Sequence, residues 1–439
     1  MNKKREKITD EIRISEDLIQ SIERRIDNIP SLKEEIEDNL DKDTSTLFNL
    51  IMAGGISLGT SDIHIEPTEE KAKMRIRIDG VLQDVIEFNK DTYQKILSRI
   101  KLTSGVKLNI ENKPQDGRFT ILYSAMREEN EYSIEIRMSI LPSEHGGSIV
   151  MRILDPRNLI TIDKLGLRKD LLDTFKREIK KPNGMIIVTG PTGSGKTTSL
   201  YAFLKHIRNP GIKIITIEDP IEYHLDGISQ TEVAPDKGYD FANGLRSIVR
   251  QDPDAILVGE IRDLETATIG LQAALTGHTV FSTLHTNDAA GAVPRLQALG
   301  EKPVNIAPAI NIIIAQRLVR KLCDRCKRKT TLQREEISEV IEEELKNTEI
   351  DIEVNSEKEI FNPKGCKSCN FTGYSGRLGI FEALVIDQEM EELIFSNPST
   401  TEIKNTAIEK GMITLKQDGL IKLLNGKTSV EEIDRVIGL

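Results

Sequence analysis

Gly190-Pro191-Thr192-Gly193-Ser194-Gly195-Lys196-Thr197 fits the pattern G-x-x-x-x-G-K-[S/T] in full. Its surroundings decide the fold. Met185 to Thr189, just ahead, is a short and mostly β-branched run, and a helical stretch opens at Lys196. A strand, a glycine-rich turn and a helix in that order make a phosphate cradle. The glycines let backbone N–H groups turn inward around a β-phosphate, and the helix N-terminus adds a fixed positive dipole. Lys196 is expected to reach the β- and γ-phosphates, and the Thr197 hydroxyl to ligate Mg²⁺. Thr198 completes the expected ATP-binding segment.

Further runs of the same kind lie at Ile212 to Ile217, Ala255 to Val258 and Thr279 to Ser282, separated by helical stretches. That alternation predicts an α/β fold with a parallel sheet and crossover helices. Two carboxylates follow predicted strands: Glu218 after Ile214-Ile215-Thr216-Ile217, and Glu260 after Ala255 to Gly259. The carboxyl ends of such strands are where α/β sheets place ligand chemistry. Hydrolysis needs a carboxylate to orient water and acidic help near Mg²⁺. Each carboxylate has a plainer reading as a helix cap or an exposed turn acid. Gly259 stands where a strand-ending aspartate is usual, so Mg²⁺ is expected to be held through water.

The chain is 439 residues long, enough for two to four domains. It carries 60 Lys+Arg against 70 Asp+Glu, a net charge of -10. That balance speaks against nucleic acid as a partner. Hydrophobic residues at 38% and charged residues at 30% suit a globular protein. No apolar run approaches the ~18 residues of a membrane span. The nearest, Val304 to Val319, is broken by Pro308 and carries Asn305, Asn311, Gln316 and Arg317. With no signal-peptide core at its start, the chain is expected in the cytoplasm.

Residues 1–43 are charge-dense, with Ile8, Ile12, Ile19, Ile22, Ile26 and Ile29 near helical spacing. They predict an amphipathic lead-in helix ended by Pro30, either solvated or docking a partner. Ser31 with Glu34 reads as a capping box opening a second helix over Leu32, Ile36 and Leu40. Residues 44–155 read as an α+β domain, with a helix over Thr44 to Ser57 and another over Thr92 to Thr103. Its strands are Ser61 to Pro67, Met74 to Asp79, Arg118 to Tyr123, Tyr132 to Met138 and Ser148 to Leu154. Asp79-Gly80 is a hairpin turn signal. A linker is expected over 156–180, the ATPase core over 181–320, a cysteine-bearing subdomain over 321–384 and a helical region over 385–439.

Cys323-Asp-Arg-Cys326 and Cys366-Lys-Ser-Cys369 are two C-x-x-C knuckles. Four thiolates make a closed tetrahedral Zn²⁺ site, which is structural because it leaves no position for substrate. A redox pair is the alternative.

With these motifs collected, the chain resembles the type II secretion and type IV pilus assembly ATPases. The resemblance runs through residues 45 to 425. It rests on the P-loop, Thr216 to Glu222 as the aspartate box, Ile256 to Asp263 as a divergent Walker B, and Thr276 to Asn287 as the histidine box. Upstream it rests on Ser61 to Pro67, Arg75 to Gly80 and Pro114 to Arg118. It implies a RecA-like core preceded by a smaller PAS-like domain, a hexameric ring and ATP-driven rotation of one domain against the other. It also implies Glu218 as the water-activating base, Glu260 as the Walker B glutamate, and His278 and His285 as γ-phosphate sensors. Arg137 and Arg152 would be arginines supplied from the N-terminal domain. For these the plainer readings are a core histidine and a strand-surface ion pair. Arg246, Arg250 and Arg262 are candidates for the subunit boundary. The tetracysteine subdomain points to an assembly motor over a retraction motor. A nucleotide-gated scaffold with little turnover and a DNA-translocating ATPase are the other readings. The implied partners are an inner-membrane platform protein and, indirectly, a pilin or pseudopilin, with the protein peripheral to the inner face of the cell membrane. The family usually carries an N-terminal module of a hundred residues or more; the expectation for residues 1–43 is a reduced version of it, or else docking through the N-terminal domain and the zinc subdomain.

Overall fold

A computed structural model describes residues 11–124, 131–332, 335–346, 348 and 358–439. Residues up to Asn158 form the bulk of one compact unit; Leu159–Pro363 with Gly376–Leu439 form the other.

The first unit is a seven-stranded sheet with helices on one face. Its elements are β1 (Glu11–Arg13), α1 (Glu16–Arg25), α2 (Ile29–Glu37), α3 (Thr44–Ser57), β2 (Asp62–Pro67), β3 (Lys71–Ile78), β4 (Val81–Asn89), α4 (Lys90–Thr103), β5 (Gln115–Ser124), β6 (Glu131–Ser143) and β7 (Gly146–Leu154). The strand order is β1-β5-β6-β7-β2-β3-β4. All pairs are antiparallel except β1 with β5. Alternation sorts the faces. Met74, Ile76, Ile136, Met138, Met151 and Ile153 enter the core, so Arg75, Arg77, Arg137 and Arg152 lie on the opposite face. Asp79 and Gly80 turn the β3–β4 hairpin with φ of 51° and 84°, as the Asp-Gly pair predicts. Strand β4 escaped the sequence reading because a register shift opposite Met74/Arg75 interrupts its alternation.

The N-terminal expectation needs correcting. The expected lead-in helix is instead a strand, β1, then α1, and the expected second helix is α2, which already opens at Ile29; Ile8 lies outside the described residues. Pro30 does not end a helix but sits in the first turn of α2, where its missing N–H costs nothing. The capping box joins Asn28 and Ser31, not Ser31 and Glu34. Nor is this segment a solvated lead-in: Ile12, Ile19, Ile22, Ile26, Leu32 and Ile36 are all buried in the core. Gly54 on α3 makes that possible, since a Cβ there would stand 2.5 Å from Leu32 Cδ1.

The second unit is the predicted α/β core. Its sheet uses β8 (Gly184–Thr189), β9 (Ile214–Glu218), β10 (Ser229–Glu232), β11 (Ala255–Val258), β12 (Thr279–Leu284), β13 (Ile310–Leu322) and β16 (Tyr374–Val385), in the order β10-β9-β11-β12-β8-β13-β16. Strands β8 to β13 pair in parallel. Crossover helices include α6 (Lys196–Ile207), α7 (Phe241–Val249) and α8 (Leu264–Leu275). Successive residues of β8 serve opposite faces: Met185 and Ile187 join one core cluster, Ile186 and Val188 the other. A sheet buried on both faces needs such a continuous apolar run.

Two strands come from stretches read differently in the sequence. Strand β13 covers much of the run Val304 to Val319, whose largely apolar sequence hides strand periodicity. Strand β16 comes from the cysteine-bearing segment and forms the edge of the core sheet. The stretch 156–180 contains α5 (Lys169–Ile179), with Leu171, Phe175 and Ile179 buried. A separate hairpin pairs β14 (Arg328–Thr331) with β15 (Glu359–Asn362). Helices Gln388–Phe395, Thr400–Glu409, Leu415–Leu424 and Val430–Ile437 form the C-terminal region. Buried polar bonds tie them to the core. Asp418 accepts from Arg168 Nη1 (2.7 Å), Lys422 Nζ (2.6 Å) and Phe381 N (2.8 Å), and Glu432 accepts from Arg320 Nη2 (2.7 Å). Among the described residues no helix is long and apolar enough to cross a membrane.

Candidate active site and metal centre

The loop from β8 to α6 has the cradle form that its glycines predict. Gly190, Gly193 and Gly195 take φ of 150°, 80° and 87°. Gly195, the N-cap of α6, is doubly constrained, because a Cβ there would also stand 2.8 Å from Gln316 Nε2. Lys196 Nζ donates to Gly190 O (2.8 Å) and Pro191 O (3.2 Å), which sets the ammonium against the loop. Burial pushes the Lys196 pKa down, opposed by the charge of Glu260 and reinforced by Arg317. Ser194 Oγ is buried with no hydrogen-bond partner among the described residues. A buried hydroxyl without a partner, in a glycine-rich loop at a helix N-terminus, fits a phosphate oxygen.

Parallel register brings the rest of the site to the same sheet edge. Thr189 pairs with Leu284, and Val258 with Ile217 and Ser282. The residues that follow those positions therefore emerge together. Lys196, Thr197, Glu218, Asp219, Glu260 and His285 line one cleft of about 180 Å³.

The two glutamates differ in their surroundings. Glu218 is only 4% exposed. Its Oε1 accepts from Thr216 Oγ1 (2.5 Å) and Gln230 Nε2 (3.2 Å), and its Oε2 accepts from the Tyr201 hydroxyl. Glu260 is more open. It pairs with Arg262, and His285 Nε2 lies 3.4 Å from its Oε2. The bond to Glu260 holds the Arg262 guanidinium above its usual pKa. Gly259 is small for a packing reason: a Cβ there would lie 3.3 Å from Ile217 O and 3.4 Å from Glu218 Cα.

His278 is not brought to this cleft. It precedes β12, whose first residue pairs with Gly184 while its last pairs with Thr189. At ~3.3 Å per residue the two ends of that strand are about 16 Å apart. His278 Nδ1 is instead 3.1 Å from Ala273 O. Arg246, a candidate for the subunit boundary, is paired with Glu265.

Three residues near the cleft escaped the sequence reading. Tyr201 lies one helical turn after Thr197, an i,i+4 spacing that could have signalled it. Gln230 comes from the edge strand β10. Arg317 on β13 donates to Gln316 O (2.9 Å) and Asn287 O (2.7 Å). Its Nη1 would lie 3.1 Å from a Cβ at Gly190.

Arg137 and Arg152 belong to the first unit. Register aligns Arg118, Arg137, Arg152, Asp62 and Arg77 in one row across β5, β6, β7, β2 and β3. Asp62 receives Arg152 Nε (3.0 Å) and Arg77 Nε (3.2 Å), and Glu135 receives Arg137 Nε (2.8 Å). Four arginines thus share a face that also carries the acids Asp62, Glu66, Asp84, Glu87 and Glu135.

Cys323, Cys326, Cys366 and Cys369 bring their sulfurs within 4.8 Å of one another. A tetrahedral Zn²⁺ with Zn–S of ~2.3 Å separates its sulfurs by about 3.8 Å, and the Sγ atoms of Cys366 and Cys369 are 3.7 Å apart. Backbone N–H groups of Cys366 (3.2 Å) and Gly373 (3.3 Å) donate to Cys369 Sγ, which suits a thiolate. The cluster fits zinc.

Residues 38–435 match the family described as type II/IV secretion system protein. This chain belongs to that family. It is 41% identical over 432 residues to the type II secretion system ATPase E of Vibrio cholerae, covering 95% of this chain and 82% of that protein. It is 40% identical over 416 residues to the type IV pilus assembly ATPase PilB of Myxococcus xanthus, covering 93% and 71%. Among solved structures, the pilus retraction motor PilT with bound ADP matches with a TM-score of 0.58 and 26% identity, covering 88% of this chain and 95% of that one. The Legionella pneumophila ATPase DotB matches the fold with a TM-score of 0.63 at 20% identity, covering 89% and 95%. The family placement, the RecA-like core after a smaller α+β domain, and the zinc-binding motif therefore agree with the sequence reading.

Proposed function

We propose that the chain is a Mg²⁺-dependent ATP hydrolase acting as a hexameric motor at the inner face of the cell membrane. There it drives assembly of a type IV pilus or a type II secretion pseudopilus through an inner-membrane platform protein. The observation that carries this reading is the convergence of Lys196, Thr197, Glu218 and Glu260 on one cleft at the carboxyl edge of a parallel sheet.

Bound Mg²⁺–ATP supplies the γ-phosphoryl group and the charge to be neutralised. Lys196 and the loop N–H groups bind the β- and γ-phosphates. Thr197 would hold Mg²⁺ directly, and Glu260 would hold it through water. Glu218 accepts the proton of the attacking water at a carboxylate oxygen. His285, linked to Glu260, responds to the γ-phosphate. Arg137 and Arg152 add positive charge from the first unit when a ring closes around nucleotide. The zinc centre is closed and structural.

Phosphate release with Mg²⁺ and with EDTA tests the chemistry. Turnover that needs Mg²⁺ and disappears in Glu218→Gln, with nucleotide binding kept, supports the reading. Tight ATP binding with no phosphate release in the wild type would favour the nucleotide-gated scaffold instead.

A further inference from the structure

The surroundings of Glu218 are more constrained than a buried carboxylate requires. A carboxylate has roughly four acceptor positions. Thr216 and Gln230 take two on Oε1, and Tyr201 takes one on Oε2. Gln230 is itself fixed, because its Oε1 accepts from Leu225 N (2.7 Å) and its Nε2 also reaches Tyr223 O (2.9 Å).

Tyr201 is fixed as well. Its ring is fully buried and lies edge-on to Tyr223, with ring centres 6.2 Å apart. Its hydroxyl donates to Glu218 Oε2, and the backbone N–H groups of Tyr223 and Glu222 lie near the same oxygen. Burial, then the negative charge of Glu218, pushes the phenol pKa far above its usual value, so Tyr201 stays a donor.

We propose that Tyr201 is a positioning residue for hydrolysis: with Thr216 and Gln230 it pins the Glu218 carboxylate so that one acceptor position, on Oε2, is left for the attacking water. This rests on the reading of Glu218 as the base. Gln230 also ties Glu218 to the backbone at Tyr223. A shift of that loop therefore reorients the base. The loop's neighbours Asp219 and Glu222 sit beside the same nucleotide cleft, which gives ligand-driven movement a direct route to the carboxylate.

Tyr201→Phe keeps the buried ring and removes the donor. Its kcat for ATP hydrolysis is expected to fall about 10- to 100-fold, the size of a lost proton-transfer geometry. The Kd for a fluorescent ATP analogue should stay within about 3-fold, since binding uses other groups. Thr216→Val, which removes a donor from Oε1 with little change of shape, should lower kcat about 3- to 10-fold by the same reasoning. In a Glu218→Gln background Tyr201→Phe should change residual turnover less than about 2-fold, because residues acting as a unit are not additive. A folded Tyr201→Phe with wild-type kcat, beside an inactive Glu218→Gln, overturns the positioning role and leaves the base assignment standing. Wild-type turnover in Glu218→Gln overturns the base assignment itself. Should Tyr201→Phe fail to fold, Thr216→Val decides: wild-type kcat there overturns the proposal, and a fall in kcat at unchanged Kd upholds it.

Discussion

The two seven-stranded sheets of this protein use their side chains in opposite ways. The parallel sheet is apolar on both faces, so none of its faces is free for chemistry, and the polar residues crowd where its strands end. Glu218, Glu260 and His285 all follow or close such ends. The antiparallel sheet of the first unit buries one face only. Its polar residues lie along the strands, and register stacks Arg118, Arg137, Arg152, Asp62 and Arg77 into a row. One sheet builds a cleft at an edge and the other builds a charged surface. Site residues of the first kind are spaced a whole βαβ unit apart in sequence, and those of the second kind sit at alternate positions of neighbouring strands.

The harshest test of this contrast falls on the edge site. Lys196→Ala should abolish hydrolysis, a loss of at least ~10³-fold, because no other loop residue places a cation on the β/γ-phosphates. A phosphate-release assay reads it, and substantial residual turnover would move the centre of chemistry away from the sheet edge.

Next comes the choice between the two edge carboxylates. Glu218→Gln should lower kcat by about 10²-fold or more while ATP binding survives, as expected for a lost general base. Glu260→Gln should weaken Mg²⁺ binding, raising the concentration needed for half-maximal rate. If the two variants exchange these behaviours, the base is Glu260.

The charged face should give a smaller effect of a different form. Arg152→Ala and Arg137→Ala are expected to lower kcat about 10- to 100-fold, less than the ~10³- to 10⁵-fold of a lone arginine finger because each leaves the other in place, with ATP affinity nearly unchanged. Wild-type rates in both would reduce the row to ion pairs with Asp62 and Glu135.

The mildest effect on turnover belongs to the cysteines. Replacing any one of Cys323, Cys326, Cys366 or Cys369 by Ser should abolish the expected one Zn²⁺ per chain, measured by elemental analysis. Hydrolysis at the P-loop should change less than about 3-fold, because metal binding stabilises the fold locally without touching phosphate. A zinc-free wild type, purified without chelator, would refute the metal assignment.

Features fixed by local chemistry could be read from the sequence alone. The P-loop motif places Lys196 and Thr197, Asp79-Gly80 places a hairpin, and four cysteines in two knuckles announce their cluster. What escaped depends on tertiary context. The helical spacing of Ile19, Ile22 and Ile26 is real, but spacing cannot tell a solvated helix from one buried against Gly54. His278 and His285 look alike in sequence, and only strand direction separates the one that reaches the cleft from the one that does not. Strand β13 hides in an apolar run, and β16 lies beyond a cysteine knuckle, so neither the pairing of β13 with β8 nor that of β16 with β13 could be read by pattern. Tyr201 reads as one more core aromatic until its hydroxyl is seen on Glu218.

The place of β8 in its sheet has a consequence for synthesis. Its partners are β12 and β13, so the strand that presents the P-loop is flanked by segments ending at Leu284 and Leu322. Parallel pairing across such separations closes long loops and is slow. While the chain emerges from the ribosome, the P-loop is made more than a hundred residues before its strand can gain its second neighbour. The sheet edge then awaits β16, and the buried hub around Asp418 awaits the last helices. A nascent chain halted near Leu284 carries the whole nucleotide motif on a half-paired strand. The ability to hold nucleotide should therefore appear late and abruptly as the chain lengthens.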